Sequence, residues 1–308
     1  VIVVDNASTD GTADILEQFE DRCQVVYNDE NIGFAAAQNQ AIRLSSGEWV
    51  LTLNPDVLLL GGFIQAMVDV MHPRPEETIM DPAAGTGGFM TVAYQYVLDT
   101  HGKEMDKDQK RRAREELVTG QELVPETARL CAMNLYLHGI GGNGFCPVIS
   151  GKSSLDTPPT TQYSMVLTNP PFGKKQSLKT VNEEGELDTE DEVVVRQDFW
   201  VSTANKQLNF VQHIFNLLKV GGRAAVVVPD NVLFEGGPGQ KIRQQLLQQC
   251  DVHTLLRLPT GIFYKPGVKA NVLFFDRKPA QEKAWTSKLW VYDLRTNKHF
   301  TLKQNTIK

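Results

Sequence analysis

The apolar run Tyr163-Ser-Met-Val-Leu-Thr168 stops at Asn169-Pro170-Pro171-Phe172. Two consecutive prolines fix φ twice and remove two N–H donors, so neither a sheet ladder nor a helix passes through them. The run before them is short, apolar and partly β-branched, which predicts a buried strand that ends at Asn169. What remains at its end is a stiff backbone with free carbonyls, one amide side chain and one aromatic ring. Such a site suits a flat, amine-bearing ring, and a nucleobase fits, with acceptors for its exocyclic amine and a face for stacking. A proline-rich turn after a strand is the simpler reading of the same four residues.

The same alternation recurs upstream and downstream. Thr78-Ile-Met80 predicts a strand and Met90–Leu98 a helix, joined by Asp81-Pro82-Ala83-Ala84-Gly85-Thr86-Gly87-Gly88-Phe89. Strand, glycine-rich turn and helix form a geometry that lets backbone approach a ligand at a helix N-terminus. The dinucleotide pattern G-x-G-x-x-G is absent. The leading Asp81 suits a cationic group, such as the methionyl ammonium of S-adenosylmethionine. After a charged stretch, 99–116, Leu117–Glu122 predicts a second strand. An acidic residue at that strand end is placed to chelate ribose hydroxyls, although a surface role for Glu122 is equally simple. Pro125–His138 predicts an amphipathic helix, with Ala128, Leu130, Cys131, Leu135 and Leu137 among its apolar positions. Phe145–Ile149 predicts a third strand. Asn209–Leu218 predicts a helix stopped by Gly221-Gly222, Ala224–Val228 a strand, Lys241–Gln249 a helix, and Val252–Arg257 and Val272–Phe275 two more strands.

Gross properties exclude several classes. Cys23, Cys131, Cys146 and Cys250 form no C-x-x-C pair, and the six histidines show no metal-ligand spacing, so neither a disulfide framework nor a metal centre is expected. No apolar run reaches membrane-spanning length and no signal peptide is visible, which predicts a cytoplasmic protein without a membrane partner. The net charge of −6 means that a nucleic-acid partner needs a local basic patch or a basic companion subunit. The chain opens on Val1 inside a strand-like run and reads as a fragment.

Residues 1 to about 60 form a distinct pattern: strand Val1–Val4, helix Ala13–Phe19, strand Cys23–Tyr27, helix Ala35–Leu44 and strand Trp49–Leu53, a βαβαβ order that predicts a parallel sheet. Asp5-Asn6-Ala7-Ser8-Thr9-Asp10-Gly11, Asn31-Ile-Gly-Phe-Ala35 and Leu53-Asn54-Pro55-Asp56-Val57 resemble the family 2 glycosyltransferases. That resemblance implies nucleotide contact by Asp5 and a diphosphate-bridging metal near Asp56. Helix caps and turn closure explain Asp5, Asp10 and Asp56 equally. The pattern changes between Val57 and Ala66, which predicts a truncated nucleotide-sugar-binding fragment over 1–60 and a second domain over 64–308.

The second piece resembles the modification subunit of type I restriction-modification systems, an N6-adenine DNA methyltransferase. The resemblance rests on Asp81 to Phe89, Thr119-Gly-Gln-Glu122, Thr168-Asn-Pro-Pro-Phe-Gly-Lys-Lys175, Val226-Val-Val-Pro-Asp-Asn-Val-Leu-Phe234, Leu258-Pro-Thr-Gly-Ile-Phe263 and Gly267-Val-Lys-Ala-Asn271, in that order. It implies an α/β, Rossmann-like S-adenosylmethionine-dependent methyltransferase sheet with helices on both faces. It implies Asp81, Pro82, Ala83, Gly85, Thr86, Gly87, Gly88, Phe89 and Glu122 on the cofactor, with Ser153 and Asp156 near its adenine ring. It implies Asn169 and Pro170 as acceptors for the amine of a flipped adenine, on a backbone stiffened by Pro171, with Phe172 stacked on the base. Lys174 and Lys175 are candidates for phosphate contact or simple solvated lysines. A separate specificity subunit and a restriction subunit are the implied partners. The alternatives are a nucleotide-sugar transferase, a catalytically inactive chimeric scaffold, and methylation of a glutamine or RNA amine.

Overall fold

The computed structural model describes residues 1–46, 62–142, 144–172, 177–181, 187–191, 193–259, 269–296, 300–301 and 306–307. The chain divides into two compact units, Val1–Leu59 and Leu60–Lys308.

In the first unit, β1 (Ile2–Asp5) pairs in parallel with β2 (Gln24–Tyr27), with Ile2 opposite Gln24 and Asp5 opposite Tyr27. Between them lies α1 (Thr12–Leu16), continued by a 3₁₀ turn to Phe19. α2 (Phe34–Leu44) follows and packs on β1. Asp10 closes the turn into α1 by accepting from Thr12 N–H at 3.2 Å. Asp5 is buried and accepts from Ser8 N–H at 3.3 Å. Apart from Asp5, Ala37 is the buried side chain of this unit among the described residues. A parallel pair with so little apolar burial contributes little stability by itself. The expected strand at Trp49–Leu53 and the Asn54-Pro55-Asp56 motif lie outside the described residues.

The second unit is built on one sheet. Its elements in order are α3 (Phe63–Met71), β3 (Ile79–Asp81), α4 (Gly88–His101), α5 (Lys107–Glu116), β4 (Val118–Glu122), α6 (Pro125–Leu137), β5 (Val148–Ser150), β6 (Tyr163–Thr168), the hairpin β7 (Ser177–Val181) and β8 (Leu187–Asp191), α7 (Lys206–Leu217), β9 (Leu218–Pro229), α8 (Asp230–Phe234), α9 (Pro238–Gln249), β10 (Cys250–Arg257), β11 (Ala270–Arg277), β12 (Trp290–Asp293), β13 (Phe300–Thr301) and β14 (Thr306–Ile307). The main sheet has the order β12-β10-β11-β9-β6-β3-β4-β5 among the described residues. β11 runs antiparallel to both β9 and β10; the remaining pairs are parallel.

Side-chain alternation explains why helices cover both faces. Met165, Leu167, Ala225, Val227, Val272 and Phe274 point into a core formed with α3, α4 and α6. Their neighbours Val166, Ala224, Val226, Val228, Leu273 and Phe275 point into a second core with α7, α8 and α9. Each central strand is buried on two faces, which is why it reads as a continuous apolar run.

Two sequence expectations are corrected. Gly221-Gly222 does not stop a helix: α7 ends at Leu217, and the glycine pair lies inside β9. Gly221 has φ +85°, and a Cβ on Gly222 would sit 2.9 Å from the Ser164 carbonyl oxygen. The pair is an irregularity in the β6–β9 ladder, where the register jumps from Tyr163↔Leu218 to Met165↔Arg223. On α6, Ala128, Cys131 and Leu135 are buried but Leu130 and Leu137 are exposed, so the apolar stripe is narrower than its pattern predicts. The charged stretch before β4 divides: 99–101 completes α4, and α5 starts at a capping box between Asp106 and Gln109.

Gly120 on β4 is a tight joint between strand, turn and helix. An added Cβ would lie 2.6 Å from Met90 Sδ and 2.9 Å from Ala84 Cβ, so it presses on the glycine-rich turn as well as on α4. Gly120→Ala is expected to lower stability by about 1–3 kcal/mol, read from the urea midpoint of the full chain. An unchanged midpoint would mean that the turn is not held against β4.

Candidate active site

The C-terminal ends of β3, β4, β5, β6 and β9 lie along one edge of the sheet, because these neighbouring strands are parallel. Open α/β sheets bind ligands at that edge. Asp81 and the glycine-rich turn, Glu122, and the segment Asn169 to Phe172 gather there.

The glycine-rich turn leaves β3 at Asp81. Ala83 N–H donates to Asp81 Oδ1 at 3.1 Å, Ala84 N–H to the Gln121 carbonyl at 3.0 Å, and Gly87 N–H to the Ala84 carbonyl at 2.8 Å. Gly85 and Gly87 have φ of +55° and +85°, which side-chain-bearing residues rarely adopt. Their roles differ. A Cβ on Gly87 would meet Cys131 Sγ at 2.9 Å, whereas one on Gly85 would meet nothing within 4 Å. Gly87 serves close packing with α6; Gly85 faces open space. The Thr86 carbonyl accepts from Asn134 of α6 at 2.9 Å. Gly88 begins α4, and Phe89 is buried in the core beneath the turn.

Glu122 closes β4 and ties two segments together. Its Oε2 accepts from Gly85 N–H at 3.0 Å and its Oε1 from Val124 N–H at 2.9 Å. Each oxygen keeps a second lone pair for a ligand hydroxyl. Beyond β5, Ser153 and Asp156 form a closed turn: Ser153 N–H donates to Asp156 Oδ2 at 3.2 Å, and Leu155 N–H to Ser153 Oγ at 3.2 Å. Ser154 between them is buried, and its hydroxyl donates to the Pro82 carbonyl, so this loop rests on the glycine-rich turn.

The segment Asn169-Pro170-Pro171-Phe172 leaves β6 beside that turn. Thr168 is fully buried, and its hydroxyl donates to Asp81 Oδ1 at 2.7 Å. Asn169 Oδ1 is buried and has no hydrogen-bond partner. An orphaned buried acceptor is costly and rare, and a ligand donor is the straightforward way to satisfy it. Pro170 is buried, Pro171 exposed, and Phe172 half-buried against the core. Lys174 and Lys175 lie outside the described residues.

Burial pushes the Asp81 carboxyl up to about 7, the Glu122 charge adds to this, and the bonds from Thr168 and Ala83 oppose it. Burial likewise pushes the Cys131 thiol up to about 12, so it is neutral beside the turn at ordinary pH.

Arg196, Ser154 and Thr168 belong to the site and escape sequence reading. Arg196 is buried; its guanidinium donates to Asp198 Oδ1 at 2.9 Å and reaches the Ser154 and Leu155 carbonyls at 3.4 Å. It also lies 3.1 Å from His213 Nδ1, and burial together with the Arg196 charge pushes His213 down to about 3. Arg196 thus braces the loop after β5 from beyond the Pro-Pro segment, a contact without any local sequence signal. Thr168 did carry one: a β-branched hydroxyl in the last strand position before Asn169.

The N-6 DNA methylase profile matches residues 62–308, four-fifths of the sequence. The chain belongs to the N-6 DNA methylase family. Within that family it is 43% identical over 243 residues to the type I restriction enzyme StySPI methylase subunit of Salmonella potsdam, across 76% of this chain and 43% of that protein. The crystal structure of the type I restriction enzyme EcoKI M protein superposes with a TM-score of 0.66 at 37% identity, covering 97% of this chain and 59% of that one. The chain therefore spans less than half the length of its curated methylase relatives. Residues 1–116 match the glycosyl transferase family 2 profile, which overlaps the methylase match. Over 59 residues the chain is 48% identical to the teichuronic acid biosynthesis glycosyltransferase TuaG of Bacillus subtilis, 18% of this chain and 23% of that protein.

The raised Asp81 carboxyl has a signed consequence. The unfolded carboxyl ionises near 3.8 and the folded one near 7, so between those values the folded state holds more protons. Stability attributable to Asp81 therefore falls as pH rises through that window and is level above it. Asp81→Asn keeps an acceptor for Thr168 and Ala83 but removes the slope. Its stability relative to the parent is expected to rise from pH 5 to pH 8 in urea unfolding. Equal differences at the two pH values would show that Asp81 is not perturbed.

Proposed function

We propose that this chain transfers a methyl group from S-adenosylmethionine to the N6 amine of adenine in DNA, as the modification subunit of a type I restriction-modification system. Residues 64–308 form the catalytic domain in this reading, and 1–60 a glycosyltransferase-like fragment. The observation that carries it is the orphaned Asn169 Oδ1, held beside the glycine-rich turn by the Thr168–Asp81 bond.

The turn fits the cofactor. Gly85 leaves open space where backbone approaches a ligand, and Glu122 offers remaining lone pairs to two ribose hydroxyls. Ser153 and Asp156 would face the cofactor's adenine ring, and Asp81 would supply negative charge toward its methionyl ammonium. When bound, S-adenosylmethionine supplies an electrophilic methyl group.

The adenine amine is a weak nucleophile because its lone pair is delocalised into the ring. Asn169 Oδ1 and the Pro170 carbonyl accept its two hydrogens and favour a tetrahedral nitrogen whose lone pair is free to attack. Pro170 and Pro171 hold those acceptors rigid, so they need no reorganisation. Phe172 stacks on the flipped base. The amine that takes the methyl group loses one proton to solvent, and the sulfonium donor would leave as a neutral thioether. DNA binding with a net charge of −6 needs a local basic patch or basic surface from a partner, and a separate specificity subunit would supply the latter. The restriction subunit is the second partner of such a complex.

The test is labelled methyl transfer to DNA by the full chain with a specificity subunit. Asn169→Ala is expected to lower the rate by roughly 10²–10³-fold while leaving S-adenosylmethionine binding within a few-fold of the parent. An Asn169→Ala variant that methylates as fast as the parent would remove the mechanism.

A further inference from the structure

We propose that Thr168 is a positioning residue that couples the cofactor turn to the target-amine acceptor through its buried hydrogen bond to Asp81. The inference rests on the functional reading above and deepens it.

The backbone ladder does not provide this coupling. β3 and β6 pair at Ile79↔Met165 and Met80↔Val166, and the pairing ends there. Past that point Thr168 is two residues further along β6, and its hydroxyl bridges to the carboxylate at the end of β3. On its other side Thr168 remains in register with Val226 of β9, so its backbone is fixed. The same Asp81 Oδ1 accepts from Ala83 N–H. One oxygen atom therefore holds both the start of the glycine-rich turn and the residue that precedes Asn169. Whatever displaces the turn also displaces the orphaned acceptor.

The charge around Asp81 makes the coupling responsive to ligand. Facing it are Glu122 of β4, whose charge opposes ionisation, and the neutral thiol of Cys131 on α6. Thr168 of β6 and the Ala83 N–H favour the ionised form. A cationic group in the cradle stabilises the Asp81 carboxylate, and a carboxylate is a stronger acceptor for the Thr168 hydroxyl than a neutral acid. By linkage, a hydroxyl that stabilises the carboxylate also strengthens binding of the cation. A threonine that merely filled space would show neither effect.

The test is calorimetric titration of the full chain with S-adenosylmethionine from pH 5.5 to pH 9, for the parent, Thr168→Val and Thr168→Ser. Affinity of the parent should rise toward pH 7 as Asp81 ionises and fall above about pH 8, where the ligand's own ammonium loses its proton. Thr168→Val removes the donor at nearly constant volume and should move that rise upward by roughly one pH unit. Thr168→Ser should return it to the parent position, with methyl transfer following the same order. Should Val not fold, Thr168→Ala gives the same readout. A parent that binds but whose profile is unmoved by Val or Ala overturns the coupling and leaves the functional reading intact. Failure of Ser to restore the profile also overturns it. A parent that binds no S-adenosylmethionine at any pH overturns the functional reading and the coupling with it.

Discussion

A buried carboxylate must be hydrogen-bonded, and Asp81 is where this fold meets that requirement. Its side chain lies at the end of β3 with almost no exposure, and it satisfies itself through the Ala83 N–H and the Thr168 hydroxyl. Those two partners belong to the segments that make the site: the glycine-rich turn on one side and the Asn-Pro-Pro-Phe segment on the other. The cost of leaving a buried carboxyl without hydrogen bonds thus draws two chemically distinct loops into one geometry. Glu122 repeats the arrangement one strand over, with Gly85 and Val124 as its partners.

The sheet makes this possible because its parallel strands all end at one edge. Two-sided burial of the alternating side chains in β6, β9 and β11 fixes their register, since a one-residue slip would exchange the two cores. A fixed register places the last residue of each strand, and the chemistry sits on those last residues. The first unit has no comparable core among its described residues. Its polar turn contacts, Asp10 with Thr12 and Asp5 with Ser8, show the capping role that competes with nucleotide contact for those carboxylates.

Much of this was legible in the chain. The central strands read correctly because burial on both faces leaves continuous apolar runs between turn residues. The Pro-Pro pair and the positive-φ glycines marked the edge, since few other residues tolerate those backbones. Legibility failed where a role depends on distant partners. Gly221-Gly222 resembles a helix stop, and only the closeness of the Ser164 carbonyl shows why β9 needs glycine there. Leu130 and Leu137 match a helical stripe yet lie exposed, because periodicity gives direction and not the width of what packs opposite. Ser153 and Asp156 are partners in one turn braced by Ser154 and Arg196, an arrangement that their spacing alone does not show. Nothing local to Arg196 announces that brace.

The central claim is that one sheet edge holds the cofactor on β3 and β4 and the amine acceptors at the end of β6. A crystal structure of the full chain with S-adenosylmethionine bound tests it most directly. The account predicts ribose hydroxyls on Glu122, the ligand backbone over Gly85, and the methyl-bearing sulfur turned toward Asn169 Oδ1. A ligand seated away from Gly85 and Glu122, or one whose sulfur is walled off from Asn169, would contradict it.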